Sequence, residues 1–167
     1  MSEVPMPAGR LFLGALVILA LLCGACARKI ERMGGSLYDR QFREINGAVR
    51  KADYKEVSRI LAKEPGLAKA QDSCGYGALH WASLDGSKDI VTLLLAQGAP
   101  VNMKSKDGVT PLHCASRTGR HEVVSLLVKS GADLDVKTSG GDTPLSLAES
   151  GKHREVCRFL RNHGAHN

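Results

Sequence analysis

The sequence predicts an all-α solenoid of four stacked repeats, and three observations support this fold class. Leu79, Leu112 and Leu145 are 33 residues apart, and the same step links further landmarks: Gly75, Gly108 and Gly141; Gly98, Gly131 and Gly164; Asp89, Glu122 and Glu155. Each period has the pattern turn, helix, tight turn, helix. Apolar positions of the middle periods become polar in the first and last ones. A fixed period of this length is typical of a stacked repeat array, whose end repeats face water on one side.

Residues 1–26 are predicted to be a hydrophobic signal peptide or membrane-anchor helix that precedes the repeats. Residues 11–27 carry no charge and follow Arg10, which is the pattern of a secretory signal. The small residues before Cys26 resemble a bacterial lipobox, in which the cysteine is acylated, although Cys23 stands where that motif has leucine. The resemblance implies lipidation at Cys26 and a membrane-anchored protein of the cell envelope on the periplasmic side, with the outer membrane as one destination.

Two alternatives to lipidation stay open for this segment. A signal without lipid, whether cleaved or retained, fits the same apolar run. Arg28, Lys29 and Arg32 follow the run directly, and by the positive-inside bias they favour a membrane-anchored domain that faces the cytoplasm. Residues 27–40, which are charged and contain a glycine pair, are predicted to form a tether.

The third period shows why each repeat is expected to be helical. Thr110 is a good N-cap because its hydroxyl can accept a free backbone N–H of the first turn, and Pro111 suits the first helical position. Gly119 ends this short helix, and a mostly apolar second helix follows. Gly131 is placed to close the second helix in the left-handed conformation that glycine tolerates. We expect a repeat domain over 41–167, with repeats at about 41–71, 72–104, 105–137 and 138–167.

The motif Thr110–His113, which is Thr-Pro-Leu-His, combines with the 33-residue period to resemble the ankyrin repeat family closely. This resemblance implies paired helices with projecting β-turn fingers and a non-catalytic role in protein binding. It also implies that His80 and His113 are structural clips, which bond to their own turn and to the next repeat. Ser146 takes the same position in the last repeat, where no following repeat needs a clip.

Polar replacements mark the first and last repeats as caps around two inner repeats. The replacements are Glu56 for Ile90, Arg59 for Leu93, Glu149 for Ser116 and Arg161 for Val128. A terminal repeat needs them because one of its stacking faces meets water. In the second repeat Gly77 and Ala78 replace the Thr-Pro pair, so its N-cap is expected to be weaker by about 1 kcal/mol.

Composition and motifs exclude several classes of function. The 167 residues carry a formal net charge of +6, enough for weak attraction to anionic lipid, nucleic acid or an acidic protein. No cluster of Lys and Arg with interleaved aromatics occurs, so we predict no nucleic-acid partner. The sequence has no nucleophile motif, phosphate-binding loop or dinucleotide fingerprint, and its histidines and cysteines lack metal-ligand spacing. We therefore expect no enzyme activity, no cofactor and no metal site.

The five cysteines predict neither a disulfide framework nor a zinc site, because they are widely spaced outside the N-terminal segment. Cys114 and Cys157 are expected to be small packing residues, and Cys74, in an exposed turn, is the candidate reactive thiol. His121 and His153, which lie between the helices of their repeats, are expected to be solvated.

The family resemblance also implies a binding face, because relatives place binding residues on the turn tips and at the end of the first helix. Matched onto this chain, these positions are Ser73, Cys74, Tyr76, Leu84 and Asp85, then Lys106, Asp107, Val109, Arg117 and Thr118, then Ser139, Asp142, Ser150 and Gly151. Trp81 lies beside them, either as a binding anchor or as packing between repeats. The candidate anchors are Tyr76, Leu84, Trp81 and Arg117, since aromatic residues and Arg dominate interface energetics.

The prediction is a monomeric, non-catalytic module that binds another protein at a membrane surface. Two rivals stay open: an inhibitor or immunity-type protein that blocks a secreted or periplasmic enzyme, and an assembly scaffold of an envelope complex. An inhibitor should bind one partner tightly in equal stoichiometry, whereas a scaffold should co-purify with several partners.

Overall fold

The computed structural model of the chain describes residues 40–166. The predicted signal or anchor segment, its candidate lipidation site Cys26 and the tether up to residue 39 lie outside the described residues. Gln41–Asn167 form one compact unit.

The described chain is a series of helix pairs joined by turns. Helix α1 includes residues 40–50, and the other helices follow in order as α2 (Tyr54–Lys63), a 3-10 helix (Pro65–Lys69), α3 (Ala78–Asp85), α4 (Lys88–Ala96), α5 (Pro111–Arg117), α6 (His121–Lys129), α7 (Pro144–Ser150) and α8 (Arg154–Asn162). Between residues 40 and 166 extended backbone pairs only at the isolated bridge of Gln71 with Gly77. None of the helices in this range is long and apolar enough to cross a bilayer. The predicted all-α class is confirmed.

The helices form two layers with an aliphatic core between them. The first helices of successive repeats, α3, α5 and α7, pack side by side, and so do the second helices, α4, α6 and α8. Two rows of buried leucines recur every 33 residues: Leu79, Leu112 and Leu145 in the first layer, and Leu94, Leu127 and Leu160 in the second. Burying one leucine stabilises a fold by about 1.5–3 kcal/mol relative to leaving it exposed, so these rows hold the repeats together.

Both motif histidines are the predicted clips. His80 Nδ1 accepts the N–H of its own N-cap residue at 3.0 Å, and Nε2 donates to Val109 O in the next repeat at 3.0 Å. His113 repeats this with Thr110 N–H at 3.1 Å and Asp142 O at 3.2 Å. Because Nδ1 accepts, the single proton of each neutral ring is on Nε2. Burial lowers the pKa of both imidazoles, which favours this neutral form.

The expectation that His153 is solvated is wrong. The ring is half-buried, packs over Gly119, and donates from Nε2 to Arg117 O at 3.0 Å. Arg120, 33 residues earlier, likewise donates to Leu84 O at 3.3 Å. The residue just before the second helix therefore ties back to the end of the first helix of the preceding repeat. This second row of clips has no counterpart in the Thr-Pro-Leu-His motif.

His121 is exposed, as expected, but its ring also makes a packing contact. It meets Phe159 edge-on with the ring centroids 5.4 Å apart. This contact joins α6 to α8 on the outer layer of the stack.

Each cap contains one ion pair between its own polar residues. Arg59 donates to Glu56 from Nε at 2.8 Å, and Arg161 donates to Glu149. Both pairs are substantially solvent-exposed, so each contributes only about 0–1 kcal/mol. Their value lies in keeping the two end faces of the stack polar, as the sequence predicts.

The backbone conformation of Gly131 and the close packing around Gly77 explain why these two positions are glycine. Gly131 has φ +86°, which confirms the predicted left-handed helix end. Gly77 caps α3 without a side chain, and a Cβ at this position would overlap Met103 and lie 2.8 Å from Ala70 O. The third repeat has Val136 where the second has Met103. The loss of the capping threonine therefore makes room for the larger methionine.

Candidate protein-binding surface

A groove lies between the fingers and the first helices of the last two repeats. The fingers are the turns that precede each first helix: finger two (72–77), finger three (105–110) and finger four (138–143). The groove has a volume of about 330 Å³, and its lining residues are Tyr76, Asp107, Val109, His113, Cys114, Arg117, Thr138, Ser139, Gly140, Asp142 and Leu147. That volume accommodates about one or two side chains of a partner.

Each finger is held by a side-chain oxygen at its first residue. Asp72 Oδ1 accepts the backbone N–H of Cys74 and of Tyr76, each at 2.8 Å. Ser105 Oγ accepts Val109 N–H at 3.1 Å, and in finger four Thr138 Oγ1 accepts Asp142 N–H at 3.1 Å. These local turns fix the positions of Tyr76 and Val109 before any partner binds.

Main-chain bonds then fix the spacing between fingers. Lys106 N–H donates to Cys74 O at 2.9 Å, and Ser139 N–H donates to Asp107 O at 2.8 Å. Successive fingers are therefore in register, so the wall of the groove is preorganised. Preorganisation reduces the entropic cost of binding.

The groove exists because one side chain in the repeat is small. Trp81, Cys114 and Leu147 occupy the same position in successive repeats. Trp81 fills its position and packs against the core, whereas Cys114 is 3% exposed and leaves space above it. The space opens between Val109, Leu147 and Tyr76, which give it apolar walls.

The floor of the groove contains a buried thiol and a histidine ring that is already hydrogen-bonded. Burial raises the pKa of the Cys114 thiol to about 11, so it is protonated at neutral pH. The His113 ring beside it is committed to bonds with Thr110 and Asp142 O. In the described part of the chain no three His, Cys, Asp or Glu side chains are grouped in a way that could hold a metal ion.

The rim of the groove carries charges of both signs. Asp107 and Asp142 lie on the finger side and Arg117 at the end of α5, and all three are exposed. An apolar floor with a charged rim is the arrangement of a protein interface, in which a buried anchor is surrounded by polar contacts.

The comparison with known families agrees with this architecture. The family described as ankyrin repeats (3 copies) matches residues 45–138 and also 79–167. These matches together cover most of the chain. The chain belongs to the ankyrin repeat family.

Relatives in other organisms share short stretches of ankyrin repeats with it. The 2-5A-dependent ribonuclease of Mus musculus is 38% identical over 63 residues, which is 38% of this chain and 9% of that protein. The probable E3 ubiquitin-protein ligase XBOS33 of Oryza sativa subsp. japonica is 42% identical over 64 residues, 38% of this chain and 12% of that protein. The ankyrin repeat and MYND domain-containing protein 1 of Mus musculus is 42% identical over 58 residues, 35% of this chain and 6% of that protein. The chain thus spans only a small fraction of each relative's length.

The ankyrin groove brings together six of the fifteen candidate binding residues: Tyr76, Asp107, Val109, Arg117, Ser139 and Asp142. The remaining nine candidates lie outside its lining: Ser73, Cys74, Trp81, Leu84, Asp85, Lys106, Thr118, Ser150 and Gly151. Of these, Cys74 is exposed with a free thiol, as expected for a turn tip.

Two of the residues outside the groove have structural contacts instead. The Thr118 hydroxyl donates to Leu84 O at 3.1 Å and so joins two repeats. Trp81 is half-buried, with its ring 5.7 Å from the Tyr76 ring and the Arg50 guanidinium 5.7 Å from its centroid. Trp81 thus contacts side chains of both the first and the second repeat.

Sequence reasoning missed the floor of the groove. Cys114, Leu147 and His113 line it, but the sequence predicts Cys114 only as a packing residue and His113 only as a clip, and it does not single out Leu147. The signal that could have found them is the size series at one repeat position, tryptophan then cysteine then leucine. A small residue between two larger ones predicts a local cavity.

Proposed function

We propose that this chain is a non-catalytic adaptor whose groove above Cys114 receives one or two apolar side chains of a partner protein. Ankyrin repeats generally mediate protein–protein interaction, and the observation that supports this use here is the groove itself. Its walls are apolar, its rim is charged, and its fingers are fixed in place by backbone bonds. A partner of standard size covers about 800 Å² per side, so it would extend beyond the groove across the fingers.

The test combines two substitutions at the groove with a matched control. Arg117→Glu inverts the rim charge, and Tyr76→Val removes an aromatic wall while introducing the residue that finger three has at the same position. Valine is preferred to alanine because the Tyr76 ring packs 5.2 Å from His80 and its loss would leave a gap. Lys129→Glu, at the exposed end of α6, is the control because it also inverts one charge.

The measurement is affinity capture from the native cell extract, with quantitative mass spectrometry of all three chains. We expect a partner that wild type and the Lys129→Glu variant capture and that the double variant loses, since losing two anchors costs several kcal/mol of binding. Thermal melts of the variants verify that each is folded. Capture that survives the double substitution but fails with Lys129→Glu would place the interface on the outer helices instead.

The membrane tether is part of the proposal and is supported by sequence alone. Residues 11–27 are uncharged, and small residues precede Cys26. We propose acylation at Cys26 and a periplasmic, membrane-anchored domain. Fatty-acid labelling of wild type against the Cys26→Ala variant tests this, and equal labelling of the two proteins would refute it. A cytoplasmic signal from a C-terminal reporter would support the anchored, cytoplasm-facing alternative.

Stoichiometry distinguishes the forms that an adaptor can take. A single partner bound tightly in equal amount supports the inhibitor or immunity-type role. Several partners that co-purify support an envelope scaffold. Size-exclusion chromatography with light scattering of the captured complex measures this directly, and the mass of the isolated chain tests the expected monomer.

A further inference from the structure

A second concavity, on the C-terminal cap, is dominated by positive charge. It has a volume of about 350 Å³, and its lining residues are Glu149, Lys152, Arg154, Cys157, Arg158 and Arg161. Four of these side chains are cationic and one is a carboxylate. The groove above Cys114 has a different lining, so the two concavities share no residue.

The helical period places the three arginines on one face. Arg154, Arg158 and Arg161 are at positions i, i+4 and i+7 of α8, so their side chains project from the same side of the helix. All three are exposed. Guanidinium groups present planar arrays of N–H donors that fit the oxygen atoms of phosphate, and they remain charged at all physiological pH values.

Cations outnumber carboxylates among the lining residues of this concavity. Arg161 pairs with Glu149, and Arg154, Arg158 and Lys152 line the same space without a second carboxylate among the lining residues.

The backbone of Lys152 is in the left-handed region. Its φ is +58°, at the repeat position where the inner repeats have Gly86 (φ +85°) and Gly119 (φ +70°). Ala52, at the matching position of the first repeat, has φ +54° and a much smaller side chain. A lysine is strained in this conformation, where glycine would be relaxed. Lys152 therefore adds a cationic side chain to the lining at a backbone position that glycine would occupy with less strain.

We propose that the concavity of the C-terminal cap binds a phosphate-bearing anion, either a soluble phosphate or the phosphate headgroup of an anionic lipid. Arg154 and Arg158 donate to the phosphate oxygens, and Lys152 supplies the third cation. Arg161 is held by Glu149 and positions the far wall of the site. This inference does not depend on the proposed adaptor function, because no groove residue takes part.

The first arm of the test uses inorganic phosphate and the full chain in an uncharged detergent. Binding is measured by the shift of the melting midpoint against phosphate concentration, with sodium chloride at matched ionic strength as the reference. The test variant is Arg154→Gln with Arg158→Gln. The control is Lys88→Gln with Lys129→Gln, because this removes the same charge from another outer concavity, which also contains Glu122.

We expect wild type and the control to bind phosphate alike. The test variant should bind about tenfold more weakly for each guanidinium removed, since a hydrogen bond to a charged group contributes about 1.5–3 kcal/mol, or about one decade or more in Kd. Both positions of α8 are exposed and hold polar residues in the inner repeats, so the variant should melt as wild type does without phosphate.

The second arm identifies a lipid source. The full chain is placed in nanodiscs of phosphatidylcholine alone or with phosphatidylglycerol, and amide hydrogen exchange of α8 is compared. Protection of α8 that requires phosphatidylglycerol and is lost in the test variant would assign the site to lipid headgroups, even without binding of soluble phosphate. If wild type, control and test variant behave alike in both arms, the proposal is wrong.

Lys152→Gly separates the strain from the binding. Removal of the left-handed lysine should raise the melting midpoint by about 2 °C, while phosphate affinity falls by about tenfold. A variant that gains stability and retains full phosphate affinity would overturn the assignment of Lys152 to the site.

Discussion

Three glycines allow backbone strain to be measured separately from steric overlap in one fold. Gly131 has φ +86°, and no described atom lies within 4 Å of a Cβ built on it. Gly119 has φ +70°, and a Cβ there would overlap the His153 ring. Gly140 lies outside the left-handed region, and its nearest neighbour would be Asp142 Oδ2 at 3.4 Å. The three alanine variants therefore report strain alone, strain with overlap, and neither.

The expected changes follow from these geometries. Gly131→Ala should destabilise the fold by about 1 kcal/mol, because left-handed strain of about 1–2 kcal/mol is partly offset by the lower entropy of the unfolded chain. Gly119→Ala should cost about 2 kcal/mol or more, because the His153 ring must also leave Arg117 O. Gly140→Ala should be neutral or stabilise by about 0.5 kcal/mol.

Thermal melts of residues 41–167 expressed alone provide the assay. For a domain of this size 1 kcal/mol corresponds to a shift of about 3–4 °C in the melting midpoint. The predicted order of loss is Gly119→Ala, then Gly131→Ala, then Gly140→Ala. Equal melts for Gly131→Ala and Gly140→Ala would contradict the left-handed helix end. A Gly119→Ala variant no worse than Gly131→Ala would show that His153 does not pack over Gly119.

Three further predictions concern the clips, the weak cap and the end of the stack. Because burial lowers the folded-state pKa of His80 and His113, the unfolded chain binds more protons below about pH 6.5. The contribution of the two histidines to stability should therefore be complete above that pH and should fall as the pH drops towards the folded-state pKa, by up to about 1.4 kcal/mol per pH unit for each histidine. Melts of wild type and of a His113→Asn variant at a series of pH values test this, and the variant should show the smaller slope. Gly77→Thr should destabilise despite restoring a capping residue, and adding Met103→Val should recover part of the loss in urea titrations. Arg161→Val should leave the fold intact but cause self-association in size-exclusion chromatography, because it makes the end face resemble an inner stacking face.

The parts of the fold that depend on sequence-local chemistry were predictable. The repeat period, the left-handed conformation of Gly131 and the clip role of His80 each follow from residues within one repeat and its neighbour. Polar caps were predictable as well, because solvent exposure at the ends of a stack is a property of the whole array. The pairing of Glu149 with Arg161 was not predictable, because the two residues are on different helices of the same repeat.

The role of His153 could not be obtained from the motif, because it depends on the distance between two repeats. Its predecessors at the same position are Ser87 and Arg120, which share no obvious chemistry with imidazole. Arg120 and His153 do share sufficient length. Each side chain extends over a glycine and donates to a backbone carbonyl of the preceding repeat. The glycines at that position are therefore needed twice, once for their positive φ and once for the space above them.

The groove illustrates how a repeat protein gains a site without a new structural element. Every repeat presents the same backbone, so a local cavity must come from a difference in side-chain volume at one repeated position. Trp81 fills that position in the second repeat, and Cys114 leaves it open in the third. The finger bonds hold the walls in place whichever residue is present, so the opening persists rather than collapsing. Specificity can therefore reside in a few variable side chains, while the leucine rows and histidine clips maintain the stack.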